Sequence, residues 1–251
     1  MGGDAVNVEV SPRALRLFVF DLDDTLYAER DYVRSGFAHI ARITADSAGI
    51  PAEDIEVFLW DGFNEKVRGN AFDLLLTAFP EIAVHWTVGR LIEEYRGHKP
   101  SIATDPTLKS LLRTLRQSGS KIGVLTDGPV QSQRSKYNSL QLAANVDIAI
   151  FNDEFGVEYR KPNERGFRAI MSAFHFPPEM CVYVGDNPEK DFYAPRRLGW
   201  HSVRLRLPSQ LRHELEPASA DYFPDLEFNA LAGLVQYLEN CCHCSCSTES
   251  K

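Results

Sequence analysis

Three short runs rich in apolar residues end abruptly in a polar group. LRLFVF (Leu15–Phe20) is followed at once by Asp21. KIGVLT (Lys121–Thr126) closes on its own threonine, and CVYV (Cys181–Val184) runs into Gly185-Asp186. Such runs suit strands buried on both faces, as in a parallel sheet. In open α/β sheets, ligands bind outside the C-terminal ends of the strands. The runs therefore predict a sheet whose ligand edge carries two carboxylates and a hydroxyl.

From residue 105 onward, strand and helix signals alternate. Strands are expected at Lys121–Thr126, Asp147–Phe151, Cys181–Gly185 and His201–Leu205. Helices are expected near Thr107–Ser118, Val130–Leu140, Asn163–Ala173, Glu189–Leu198 and Leu226–Glu239. This alternation predicts a parallel sheet with helices on both faces. Asp21 and Thr126 lie about 100 residues apart, whereas a crossover between parallel strands needs only about a dozen. The intervening segment reads as helical. Val33, Phe37, Ile40, Ala41 and Thr44 recur at helical spacing, as do Ile55, Phe58 and Leu59, while Gly49-Ile50-Pro51 and Phe79-Pro80 break the pattern. The expected fold is α/β, a doubly wound parallel-sheet, Rossmann-like core from residues 14–26 and 105–240, with a four-helix domain inserted over residues 27–104.

Phosphoryl transfer fits the polar groups at the strand ends, because it depends chiefly on positioning and charge neutralisation. Asp21, projecting from the first strand, is the candidate nucleophile. Asp23 lies two residues on and, on an extended backbone, faces the same side. It is placed to protonate a leaving group and then to deprotonate water, a role that calls for a raised pKa. Thr126, with Asp127-Gly128-Pro129 after it, would face an anion at a helix N-terminus. Lys161 can reach phosphoryl oxygens as a point charge and offset the acidic cluster. Asp186 would meet Asp21 across neighbouring strand ends, with Asp191 five residues further on. Each segment alone reads equally as a capped turn or a solvated charge. Their series is what carries the argument.

That series, FVFDLDDTLY, GVLTDG, RKP and VGDNPEKD, resembles the haloacid dehalogenase-like (HAD) superfamily, in its phosphatase branch with a helical cap. The family pattern is DxDxT, then Ser or Thr, then Lys, then GDxxxxD, matched here by Asp21/Asp23/Thr25, Thr126, Lys161 and Asp186/Asp191. The resemblance spans roughly residues 14–240 and implies a Mg²⁺-dependent phosphatase that acts on a small phosphorylated metabolite through an aspartyl-phosphate. It implies Asp21 and Asp186 as side-chain metal ligands, Asp23 as a ligand through its carbonyl, and Asp191 as an indirect or water-mediated ligand. Hard oxygen donors with room for water suit Mg²⁺. Thr126, Asp127 and Lys161 are the expected phosphate-binding residues, and the inserted helices would form a cap that chooses the substrate. Arg34 is the favoured cap contact, ahead of Arg30, Trp60, Lys66, Arg68 and Trp86. Dehalogenases and phosphonatases of the superfamily lack the second Asp of DxD. A phosphomutase shares the motifs and stays an alternative, as does a non-catalytic scaffold.

A net charge of −8 argues against nucleic-acid binding. No apolar stretch approaches the roughly 20 residues of a membrane span, and MGGDAVNVEVSPR lacks the apolar core of a signal peptide. Of five cysteines, four crowd the end of the chain, Cys241, Cys242, Cys244 and Cys246. That is no disulfide framework, and a cytoplasmic location is expected. CxxC at Cys241–Cys244 lacks the distant second pair of a zinc site, so residues 241–251 are expected to be a disordered tail whose removal after Asn240 is harmless. The oligomeric state is left open.

Overall fold

The computed structural model describes residues 14–243. Six strands, β1 (Leu17–Phe20), β2 (Lys121–Thr126), β3 (Ile148–Phe151), β4 (Cys181–Gly185), β5 (His201–Leu205) and β6 (Leu226–Phe228), form one sheet in the order β3-β2-β1-β4-β5-β6. Every neighbouring pair is parallel. The chain winds outward from β1 to β3, then crosses back to β4 and winds the other way. The strand order therefore reverses at β1 and β4, where such sheets open a crevice at their C-terminal ends.

Alternate residues of β1 feed two cores. Phe18 and Phe20 pack with Ile122, Val124, Val182 and Val184 against α6 (Pro106–Gln117) and α10 (Leu231–His243). Leu17 and Val19 pack with Leu125 and Tyr183 on the other face, against α8 (Arg165–Phe174) and α9 (Tyr193–Leu198). α6 shows why these helices form where they do. The Asp105 carboxylate accepts from Thr107 N at 2.7 Å, Pro106 occupies the first turn, and Leu108, Leu111, Leu112 and Leu115 make one apolar stripe. α7 (Val130–Ser139) connects β2 towards β3.

The insert contains α1 (Glu29–Ala48), α2 (Ala52–Asn64), α3 (Ala71–Ala78), the single turn α4 (Pro80–Ala83) and α5 (Val88–Gly97). It has its own apolar cluster, which includes Phe37, Ile40, Ile55, Leu59, Leu75 and Leu91. Tyr27 and Tyr32 pack instead with the sheet core, so the first turn of α1 is seated on the core.

Three expectations change. Leu226–Glu239 is not one helix. Leu226 and Phe228 alternate with an outward Glu227 whose carboxylate meets Arg204 and Arg206, and this three-residue strand pairs with β5 before α10 begins. The segment after Asp186 stays a turn until Tyr193, because Asn187 Oδ1 accepts from Glu189 N at 2.9 Å. Residues 241–243 are not a disordered tail. Cys241 and Cys242 continue α10 and are buried with Leu234 and Leu238. Cys244, Cys246 and the rest of the tail lie outside the described residues.

Candidate active site

The strand ends converge as the sequence predicts. Asp21 follows β1 and donates its N–H to Val184 O at 2.8 Å, which locks it to β4. The Lys161 ammonium, fully buried, lies 2.7 Å from Asp21 Oδ1 and 2.8 Å from Asp191 Oδ1. It also donates to the Tyr183 hydroxyl at 2.7 Å. Asp191 Oδ2 accepts from Asn187 N at 2.9 Å. That approach needs Gly185, since a Cβ there would stand 2.5 Å from Asp191 Oδ2.

One carboxylate oxygen each from Asp21, Asp186 and Asp191 lies within 4.8 Å of the others. Asp186 Oδ2 is buried without a hydrogen-bond partner. An orphaned oxygen among crowded carboxylates is what a hard cation would satisfy, so the residues fit a divalent metal. Electrostatics agree. Burial raises Asp21 to about 6, against the pull of Lys161. Burial and the neighbouring Asp191 and Asp21 push Asp186 well above the ordinary carboxylate range. Burial alone would lower Lys161, but Asp191 and Asp21 outweigh it and raise it well above its usual value. Lys161 is thus the counter-charge of the acidic cluster.

Asp23 departs from expectation. Burial would raise its pKa, but Lys136 overrides this and holds it near 2. The Lys136 ammonium donates to Asp23 Oδ1 at 2.7 Å and to Gln133 Oε1 at 2.7 Å. Gln133 Nε2 donates to Asp23 Oδ2 at 2.8 Å and to Thr126 Oγ1 at 2.6 Å. The Tyr27 hydroxyl donates to the same carboxylate. Without a phosphoryl group beside it, Asp23 is therefore held towards the ionised form.

Asp127 also takes a different part. Despite burial, Lys161 and Lys190 keep its carboxyl below the ordinary range. It accepts from Asn152 Nδ2 at 2.8 Å, Lys161 N at 3.1 Å and Lys190 Nζ at 3.1 Å. Its side chain thus braces Asn152, the Lys161 backbone and the Lys190 ammonium. Arg34 does not reach the site. It is exposed on α1 with its guanidinium 5.3 Å from the Trp60 ring centre.

The cavity at these strand ends is about 190 Å³, and Asp21, Asp23, Glu29, Asp127, Lys136, Asp186, Lys190 and Arg212 are on its wall. Lys136, Lys190, Glu29 and Arg212 escape sequence reasoning. Gln133 and Lys136 stand three residues apart on α7, a signal that reads as an ordinary solvated face. Arg212 comes from an irregular segment with no periodicity. A larger groove, about 490 Å³, lies on the insert between α2 and α3 and contains none of these groups.

Residues 15–199 match the family model described as haloacid dehalogenase-like hydrolase. The chain belongs to that family of hydrolases. A glyceraldehyde 3-phosphate phosphatase of Methanopyrus kandleri is 28% identical over 226 residues, 86% of this chain and 93% of that protein. Its namesake from Methanocaldococcus jannaschii is 29% identical over 88% of this chain and 96% of its own length. A HAD phosphatase from Thermococcus onnurineus shares the fold with a TM-score of 0.56 at 20% identity, over 89% of this chain and 98% of that one. A 2-haloacid dehalogenase from Pseudomonas syringae gives 0.57 at 19% identity, over 89% and 98%. The backbone is thus common to both chemistries, and the side chains must tell them apart.

Proposed function

We propose that the chain hydrolyses a small phosphorylated metabolite through an aspartyl-phosphate on Asp21. It is a phosphoric monoester hydrolase. The observation that carries this reading is the convergence of Asp21, Asp186, Asp191 and Lys161 at the β1/β4 crevice, with Asp23 two residues beyond the nucleophile. The second Asp of DxD separates this set from the dehalogenase chemistry found on the same backbone.

Asp21 and Asp186 would hold Mg²⁺ through their side chains and Asp23 through its carbonyl, with Asp191 bracing the site through Lys161 and Asn187. Bound there, the ion would neutralise phosphoryl charge and orient it towards Asp21. The Asp21 carboxylate attacks phosphorus and the bond to the leaving oxygen breaks. Asp23 gives that oxygen its proton. It then takes a proton from the water that attacks the phospho-aspartate, which releases phosphate and restores Asp21. Asp23 must therefore be protonated at the start. A phosphoryl dianion beside it opposes the effect of Lys136 and favours that form. Thr126, held by Gln133, and Lys161 are the proposed phosphate-positioning groups.

A cavity below the roughly 300–1,000 Å³ of drug-sized sites supports a small substrate, in line with the triose phosphate named for the relatives. The insert serves as the cap. Net negative charge supports a metabolite over nucleic acid as partner. No described helix is long and apolar enough to cross a membrane, and Cys181, Cys241 and Cys242 form no disulfide, which supports a reducing, cytoplasmic setting. The test is phosphate release from a panel of phosphorylated metabolites and an aryl phosphate, with Mg²⁺ and with EDTA. Undiminished turnover in excess chelator would overturn the metal-dependent mechanism.

A further inference from the structure

Two oppositely charged side chains face the cavity without a part in the phosphoryl chemistry. Glu29 is the first residue of α1, on the insert. Arg212 lies between β5 and β6, on the core. Both line the cavity with Asp21, Asp186 and Lys190. Arg212 Nη1 donates to Glu29 Oε2, and their side chains are 33% and 21% exposed.

An ion pair at a surface is ordinarily weak and free to swing. Here both backbones are pinned. Asp24 adopts a left-handed conformation, φ 54°. Its Oδ1 accepts from Glu29 N at 2.8 Å and its Oδ2 from Leu211 N at 2.8 Å. The Gln210 side-chain amide donates to Asp24 O. Arg204, fully buried, donates to Asp186 O at 3.0 Å, Leu215 O at 2.9 Å and Arg212 O at 3.2 Å. The same guanidinium thus ties the Arg212 segment to the backbone of a candidate metal ligand.

We propose that Glu29 and Arg212 read the leaving group of the substrate and select a neutral, hydroxyl-bearing one over an anionic one. This deepens the phosphatase reading and rests on it. Asp21, Lys161 and the metal site take the phosphoryl group, so Glu29 and Arg212 face the remainder. Together the two carry no net charge. The carboxylate accepts hydrogen bonds and the guanidinium has donors to spare. A hydroxyl, which donates and accepts, satisfies both. A carboxylate or second phosphate at the same place meets Glu29 across a small cavity whose wall holds Asp21, Asp23, Asp127 and Asp186 against only Lys136 and Lys190 besides Arg212. Specificity of this kind works by repulsion as much as by attraction.

The experiment compares kcat/KM for glycerol 3-phosphate and 3-phosphoglycerate, which differ by a hydroxymethyl in place of a carboxylate. Where turnover is slow, the Ki of each against an aryl phosphate gives the corresponding ratio of binding. The natural chain should favour glycerol 3-phosphate by about tenfold or more. Glu29→Gln frees Arg212 for the carboxylate and should move the ratio towards 3-phosphoglycerate by about 10–100-fold. Adding Arg212→Met to Glu29→Gln should erase that gain. Turnover of the aryl phosphate by each variant reports whether the fold and the chemistry survive. A natural chain that prefers 3-phosphoglycerate, or a Glu29→Gln ratio within twofold of the natural one, overturns the inference and leaves the phosphatase reading standing. No phosphate released from any compound overturns the phosphatase reading itself.

Discussion

At the scale of single residues, two carboxylates separated by Leu22 have opposite electrostatic fates. Asp21 is raised and Asp23 depressed, because Lys161 shares itself among several acids while Lys136 is aimed at Asp23. Asp21→Asn should abolish the covalent intermediate and lower kcat by about a thousandfold or more. Asp23→Asn should lose about 10²–10⁴ on an alkyl phosphate, and much less on an aryl phosphate whose leaving group needs little protonation. Near-normal kcat for Asp21→Asn would remove it as nucleophile. Lys136→Met should let the Asp23 pKa rise, so the ionised form first appears at higher pH. The basic limb of any kcat/KM profile, set by loss of protonated Asp23, should then shift upward, and a stationary limb would show that Lys136 does not set its charge. Gly185→Ala should push Asp191 aside and loosen Lys161, which isothermal titration would register as weaker Mg²⁺ binding.

At the scale of elements, the parts that ended in chemistry were the legible ones. Asp21, Thr126 and Asp186 stand where apolar runs stop, so hydrophobic periodicity points straight at them. β6 is too short for its alternation to show against the apolar residues of α10. Lys136 was hidden because a buried lysine paired across about 110 residues looks, in sequence, like any solvated lysine. The final helix teaches the same lesson in reverse. Two thiols among Ser, Thr and His looked unburied, yet Cys241 and Cys242 cover the sheet behind α6. Truncation after Asn240 should therefore destabilise the fold by about 2 kcal/mol or more, lowering Tm by about 4–8 °C. An unchanged melting curve would return the tail to an accessory role.

At the scale of the whole molecule, the acidic cluster couples metal, protons and stability. Asp21 moves from 3.8 to about 6 on folding. A raised carboxyl pKa contributes stability that is present below the unfolded value and lost as pH climbs through the folded one. Metal-free protein should accordingly lose stability from this group between about pH 4 and 6. Below about pH 6 a cation must displace that proton, so apparent Mg²⁺ affinity should fall as pH falls through 6. Calorimetry should find a larger Mg²⁺-induced rise in Tm at pH 7 than at pH 5. An equal rise at both would show that Asp21 is not a ligand that must ionise. The Asp24 carboxylate carries a different consequence, for modularity. By gripping the first residue of α1 and the Arg212 segment of the core at once, it makes the insert an unreliable unit of exchange. A graft of residues 27–104 carries Glu29 away from this chain's Arg212, so recombination at the obvious seams would transplant the lid and leave half of the pair behind.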